Sequence, residues 1–136
     1  MDLRSFMKPR LVAHAHCDIP CGIYDPSAAK VAADTVAKMV EKITSFTGSD
    51  PTSHANFARS VAVKEEHAQI CKKELLILWT DYFKPEHLEK YPKLHDTFWK
   101  TAKLCSKNKQ NVDAQAATEL QAAVKEISDI FWATKK

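Results

Sequence analysis

The chain has 136 residues, 45% hydrophobic and 27% charged, values that suit one compact domain around a single core and exclude a disordered chain. Its formal charge of +3, from 20 Lys and Arg against 17 Asp and Glu, is too weak and too interspersed for nucleic-acid binding. No apolar run approaches the roughly 20 residues that cross a bilayer, so neither nucleic acid nor a membrane is expected as a partner.

Two glycines and six prolines leave few residues for β-hairpins or Gly-rich phosphate loops and suit long helices. Residues 1–15 lack both a helical period and the apolar stretch of a secretory signal. They read as a leader: Ala13-His14-Ala15 has the small-x-small form that peptidases cut, and a merely frayed terminus is the plainer alternative. Loss of Arg4, Lys8, Arg10 and Asp2 would lower the net charge from +3 to +1.

Beyond residues 16–26, four helical patterns follow. The first spans 26–46, with Asp25 as N-cap, Pro26 at the first helical position and Val36, Met39, Val40 and Ile43 on one face. Gly48 ends it. Asp50-Pro51 starts the longest helix, some 30 residues, with Phe57, Val61, Ala68, Cys71, Leu75, Leu78 and Tyr82 at four-three spacing. Lys64 interrupts that seam and is expected to snorkel to solvent along its alkyl stem rather than act as a buried amine. Pro85 and Pro92 bracket a connecting segment. His95, Phe98, Ala102 and Cys105 mark a third face, 106–111 reads as a loop, and Ala116, Leu120, Ala123, Ile127 and Ile130 mark a fourth. Lys135 and Lys136 near its end carry the sign that complements the helix dipole. The expected fold is all-α, an antiparallel up-down four-helix bundle preceded by an N-terminal metal-binding hook.

Cys71 and Cys105 fall in helical apolar patterns, where free cysteines behave as small hydrophobes, which points to a reducing, cytoplasmic compartment. Cys17 and Cys21 differ. With His16 they place an imidazole and two thiols within six residues, a metal or redox signal. A thioredoxin-like pair wants two intervening residues and a preceding strand, and a structural zinc site wants four ligands. Neither fits. Cleavage between Ala15 and His16 would free an α-amine of reference pKa near 7.7 to 8.0, a far easier ligand than a lysine. That amine, the Cys17 peptide nitrogen and the Cys17 sulfur close two fused five-membered chelate rings, and Cys21 completes a plane if Pro20 and Gly22 turn the chain back. Nickel(II) and copper(II) are the first-row ions that accept such a plane.

The run His16-Cys17-Asp18-Ile19-Pro20-Cys21-Gly22-Ile23-Tyr24 resembles the hook of the nickel superoxide dismutases. The likeness continues through Trp79-Thr80-Asp81-Tyr82-Phe83-Lys84-Pro85, His87, Glu89-Lys90-Tyr91-Pro92 and Ile130-Phe131-Trp132 with Thr134-Lys135-Lys136, covering residues 16–136. It implies a leader 1–15 removed by a processing peptidase, a mature domain 16–136 with its hook at 16–26, and a homohexamer of four-helix bundles. It also implies one nickel ion per subunit, held by His16 (amine and imidazole), Cys17 (amide and sulfur) and Cys21 (sulfur), that disproportionates superoxide by Ni(III)/Ni(II) cycling.

Four further roles follow from the resemblance. Tyr24 overhangs the open face and admits only a small anion, with packing as its plainer role. Tyr82 partners it, Asp18 orients the thiolates and waters, and Lys84 draws in a monoanion. Where the family commonly supports the axial imidazole with a glutamate and an arginine, this chain has Ala32 and His67, leaving Asp34 or His67 as substitutes. The competing reading is a non-catalytic helical oligomer that stores or senses a soft metal through Cys17 and Cys21.

Overall fold

The computed structural model describes residues 23–135. The leader, the hook donors His16, Cys17 and Cys21, and Asp18 lie outside them. Among the described residues five α-helices form in chain order: α1 (Ser27–Thr44), α2 (Pro51–Ile77), α3 (Pro85–Lys90), α4 (Leu94–Gln110) and α5 (Ala114–Thr134). A π-helical turn, Leu78–Tyr82, extends α2. The four long helices run alternately up and down, α1 packing on α2 and α5, and α4 on α2 and α5. This is the expected bundle, with α3 as one short extra helix inside the segment bracketed by Pro85 and Pro92.

The caps follow the sequence. Asp50 accepts from the Ser53 N–H at 3.1 Å with Pro51 behind it, and Asp113 accepts from the Gln115 and Ala116 N–H groups at 2.9 and 3.1 Å. Asp25 serves α1 from one position further out than expected, accepting from the Ser27 N–H at 2.6 Å while Pro26 stands just before the helix. A Cβ at Gly48 would collide with the Ser53 side chain, so the α1–α2 turn needs glycine there.

The core comprises Ala29, Ala32, Ala33 and Val36 of α1, Ala68, Cys71 and Leu75 of α2, Leu78 of the π turn, Leu94, Phe98 and Cys105 of α4, and Leu120, Val124, Ile127 and Phe131 of α5. Cys71 and Cys105 are the inert buried thiols expected, free and within hydrogen-bonding reach. That contact and burial push the Cys71 thiol far above its ordinary value.

Several expectations fail in one region. Lys64 does not snorkel: it is 2% exposed, and its ammonium donates to the carbonyls of Asn108, Lys109 and Asn111 at 2.6, 3.0 and 2.9 Å. Burial lowers its pKa and the charge of Glu65 opposes that, but three acceptors are matched to the three donors of an ammonium, which an amine would not fill. These carbonyls close the end of α4, so 106–111 is no loop. The helix continues to Gln110, because Lys64 satisfies end carbonyls that would otherwise lack partners. Asn108, fully buried, donates from Nδ2 to Leu104 O and Ala116 O at 3.0 and 2.9 Å, while its Oδ1 makes no hydrogen bond.

The face of α4 is also turned. Leu94 and Thr101 point inward where His95 and Ala102 were expected, and Thr101 returns its hydroxyl to Thr97 O at 2.7 Å. In α5, Val124 and Phe131 are buried while Ala123 and Ile130 lie at the margin.

Candidate metal centre

The described residues closest in sequence to the hook converge on one end of the bundle. Tyr24 stands just ahead of α1, and the hydrogen bond from Ser27 N–H to Asp25 fixes how the chain leaves it. The Ser27 hydrogen bonds hold the Asp25 carboxyl below its ordinary value, with a smaller contribution from the charge of Lys135. Tyr24 is half-buried, its ring 5.7 Å from that of Tyr82 and tilted by 55°. The two tyrosines that the family resemblance pairs are therefore brought together from 58 positions apart.

Tyr82 is placed by the π turn. The Phe83 N–H donates to Leu78 O at 3.2 Å, five residues back. An extra residue in that turn rotates everything after it, so Tyr82 sits half-buried at the rim although strict helical spacing would carry it into the seam. Its ring meets Phe131 at 4.4 Å, Phe83 at 5.0 Å and the stacked ring of His87 at 5.7 Å. Beside it, Trp79 stacks on Phe98 and donates to His95 Nδ1 at 2.7 Å. His95, expected in the core, is an exposed acceptor that pins this tryptophan.

Lys84 is exposed at the start of α3, where its backbone N–H donates to His87 Nδ1 at 3.1 Å. A second cation stands at the rim: Lys135 Nζ lies 5.3 Å from the Tyr82 ring centre and 5.2 Å from that of Phe131. In sequence Lys135 has only a dipole role and Thr134 none, because Thr134 reaches Tyr82 across 52 positions and Lys135 lies one further along, separations that leave no spacing signal.

Ala32 is buried in the α1 face. His67, half-buried, donates from Nδ1 to Val63 O at 2.9 Å in its own helix. Asp34 is exposed and accepts from Gln121 Nε2 at 2.7 Å, fastening α1 to α5.

The metal donors must be soft and deprotonated, and among the described residues no group of three or more His, Cys, Asp or Glu could hold an ion. Cys71 and Cys105 are sealed in the core, and the pKa of Cys71 moves the wrong way for a thiolate. The donors expected from sequence, His16, Cys17 and Cys21, lie outside the described residues.

The family model for nickel-containing superoxide dismutase matches residues 11–135, a span that takes in both the hook and the bundle. The chain belongs to the nickel-containing superoxide dismutase family. It is 37% identical over 134 residues to the nickel superoxide dismutase of Streptomyces coelicolor and 36% identical over 134 residues to that of Streptomyces seoulensis, covering 98% of each pair. The native solved structure of a nickel superoxide dismutase superposes with a TM-score of 0.79 at 39% identity, over 89% of this chain and all of that one. Its apo form gives 0.75 at 36% identity, over 84% of this chain and 98% of that one. These relatives are enzymes, which leaves the storage or sensing reading of the hook without support.

Proposed function

We infer that this chain is a nickel-dependent superoxide dismutase whose centre forms on the hook after cleavage before His16. The observation that carries the reading is the family match, which spans the hook and bundle together, beside the burial of the other two cysteines. Bound nickel supplies the one-electron exchange, between Ni(III) and Ni(II), by which two superoxide anions and two protons become dioxygen and hydrogen peroxide.

In this reading His16 gives amine and imidazole, Cys17 gives sulfur and amide nitrogen, and Cys21 gives the second sulfur. Asp18 orients the thiolates and nearby water. Tyr24 and Tyr82 form the gate that admits a small anion, and Lys84 raises its local concentration. Three solved relatives support this assignment: they are variants of a histidine, an aspartate and a tyrosine standing first, third and ninth in their chains. Counted from His16, the same residue types stand at His16, Asp18 and Tyr24.

Cleavage has further support in coverage. The whole native solved chain is matched by 89% of this one, and the remainder is about the length of residues 1–15. Assembly into a homohexamer is part of the proposal, supported by side chains left exposed on the helices: Ile70, Leu76, Trp99 and Trp132, from 36% to 54%. A reducing, cytoplasmic location is supported by Cys71 and Cys105 standing as free thiols in hydrogen-bonding contact.

The test compares full-length protein with protein trimmed to begin at His16, each offered nickel, by metal analysis and superoxide consumption. The trimmed form is expected to hold one nickel per chain and to be active, and the full-length form to be inactive, since its His16 nitrogen is an amide. Equal rates would overturn the cleavage step; trimmed, nickel-loaded protein that leaves superoxide unconsumed would overturn the function.

A further inference from the structure

The last turn of α5 reaches Tyr82 through two short contacts. Thr134 Oγ1 lies 2.7 Å from the Tyr82 hydroxyl oxygen and donates to the Phe131 carbonyl oxygen at 2.6 Å. A carbonyl only accepts, so the single hydroxyl proton of Thr134 is spent on Phe131, and Thr134 Oγ1 must receive the proton of Tyr82. The order of donors is thereby fixed, from Tyr82 to Thr134 to backbone. The final acceptor is held rigidly, because Phe131 is buried in the core and its carbonyl belongs to the last turn of α5, where intrahelical donors run out.

The Tyr82 ring has little freedom to escape this arrangement. Phe131 and His87 pack against it, Tyr24 meets it from the start of α1, and the Lys135 ammonium lies over it. Its hydroxyl torsion is the remaining variable, and Thr134 sets that.

We propose that Thr134 is a positioning residue for the gate: it keeps the Tyr82 phenolic proton turned into the protein, so that the oxygen faces the gate as an acceptor. The proposal rests on the reading of Tyr82 as part of that gate. A small anion is itself an acceptor and finds no hydrogen-bond donor at a phenol held this way, so Tyr82 passes superoxide inward without retaining it. A water molecule, which can donate, is the species such an oxygen holds. Without Thr134 the proton is free to turn outward, and the gate becomes a resting place for anions.

Two measurements on nickel-loaded, trimmed protein test this. The first is the tyrosine Fermi-doublet ratio in ultraviolet resonance Raman spectra, with Tyr82 isolated by subtracting the spectrum of Tyr82→Phe. Wild type is expected to read as a strong donor, Thr134→Ser likewise, and Thr134→Val as a hydroxyl that has lost its acceptor. An acceptor-type signal in the wild type overturns the proposal without any substitution at Thr134, which covers the case of a valine variant that fails to fold.

The second measurement is kinetic. Thr134→Val is expected to lower kcat/KM about fivefold, the scale of one lost hydrogen bond, and Thr134→Ser to restore it to within about twofold. In a Tyr82→Phe background Thr134→Val should change nothing, because its target hydroxyl is gone. An equal loss in both backgrounds would make Thr134 merely structural and overturn the assignment. Unchanged activity in Tyr82→Phe alone would strike the gate reading instead, while the Raman signal still decides where the proton points.

Discussion

At one end of the bundle a lysine from α2 closes the last turn of α4; at the other a threonine in the last turn of α5 holds a tyrosine that follows α2. Both are polar contacts between distant segments, and both finish helices whose final carbonyls would lack partners. They differ in what they leave unspent. Lys64 uses all three ammonium donors on Asn108, Lys109 and Asn111 and is 2% exposed, so nothing of it remains to meet a ligand. Tyr82 gives one proton to Thr134 and remains half-buried, with an acceptor oxygen in reserve and the Lys135 ammonium nearby. Desolvating an ammonium costs several kcal/mol unless its hydrogen bonds are complete, which makes the Lys64 end a device for stability. The half-open aromatic end can be tuned for function because its groups are not saturated.

That contrast is breakable by substitution, and Lys64→Met gives the largest expected effect. It strands three carbonyls and should lower the unfolding free energy in urea by about 2 to 4 kcal/mol, with superoxide consumption per bound nickel unchanged. Normal stability with reduced activity would erase the division between the two ends.

The caps come next in size. Asp50 is held below its ordinary carboxyl value chiefly by the Ser53 hydroxyl, and Asp113 chiefly by the Ala116 N–H. A carboxylate of this kind contributes stability above its unfolded pKa and loses it as pH falls through the lower folded value. Asp50→Ala and Asp113→Ala should therefore melt a few degrees lower than wild type at neutral pH, with the gap closing as pH falls through and below the ordinary carboxylate range. Circular dichroism melts across that range check the sign, and a gap that widened in acid would refute it.

The smallest effect belongs to the functional end. Lys84→Met should lower kcat/KM for superoxide about two- to threefold at low ionic strength and leave the melting temperature in place. Added salt should remove the difference, because the residue is exposed and its field is screened. A loss that persisted in high salt would mean Lys84 acts by contact.

Much of this molecule was legible before any coordinates. The caps at Asp50 and near Asp25, the four long helices, and Val36, Val40 and Ile43 of α1 with Ala68, Cys71 and Leu75 of α2 follow from patterns within a few residues. Phe57, expected on the α2 face, is exposed instead, because the start of that helix has no neighbour over it in the core. The proposed metal donors also stand close in sequence, His16, Cys17 and Cys21 lying within six positions. Two of the failures share one cause. In sequence Lys64 reads as snorkelling because an isolated lysine in an apolar seam has no visible partner, and residues 106–111 read as a loop because polar residues at a helix end have none either. Each was the other's partner, 44 to 47 positions away.

The sequence by itself determined the long helices and their order, because helical period and capping are set by neighbours along the chain. Only the tertiary structure decided that Lys64 is buried, that α4 runs to Gln110 with Leu94 and Thr101 inward, and that Thr134 receives the proton of Tyr82. The energy of a polar group depends on the acceptor that packing brings to it, and that acceptor has no fixed distance in sequence.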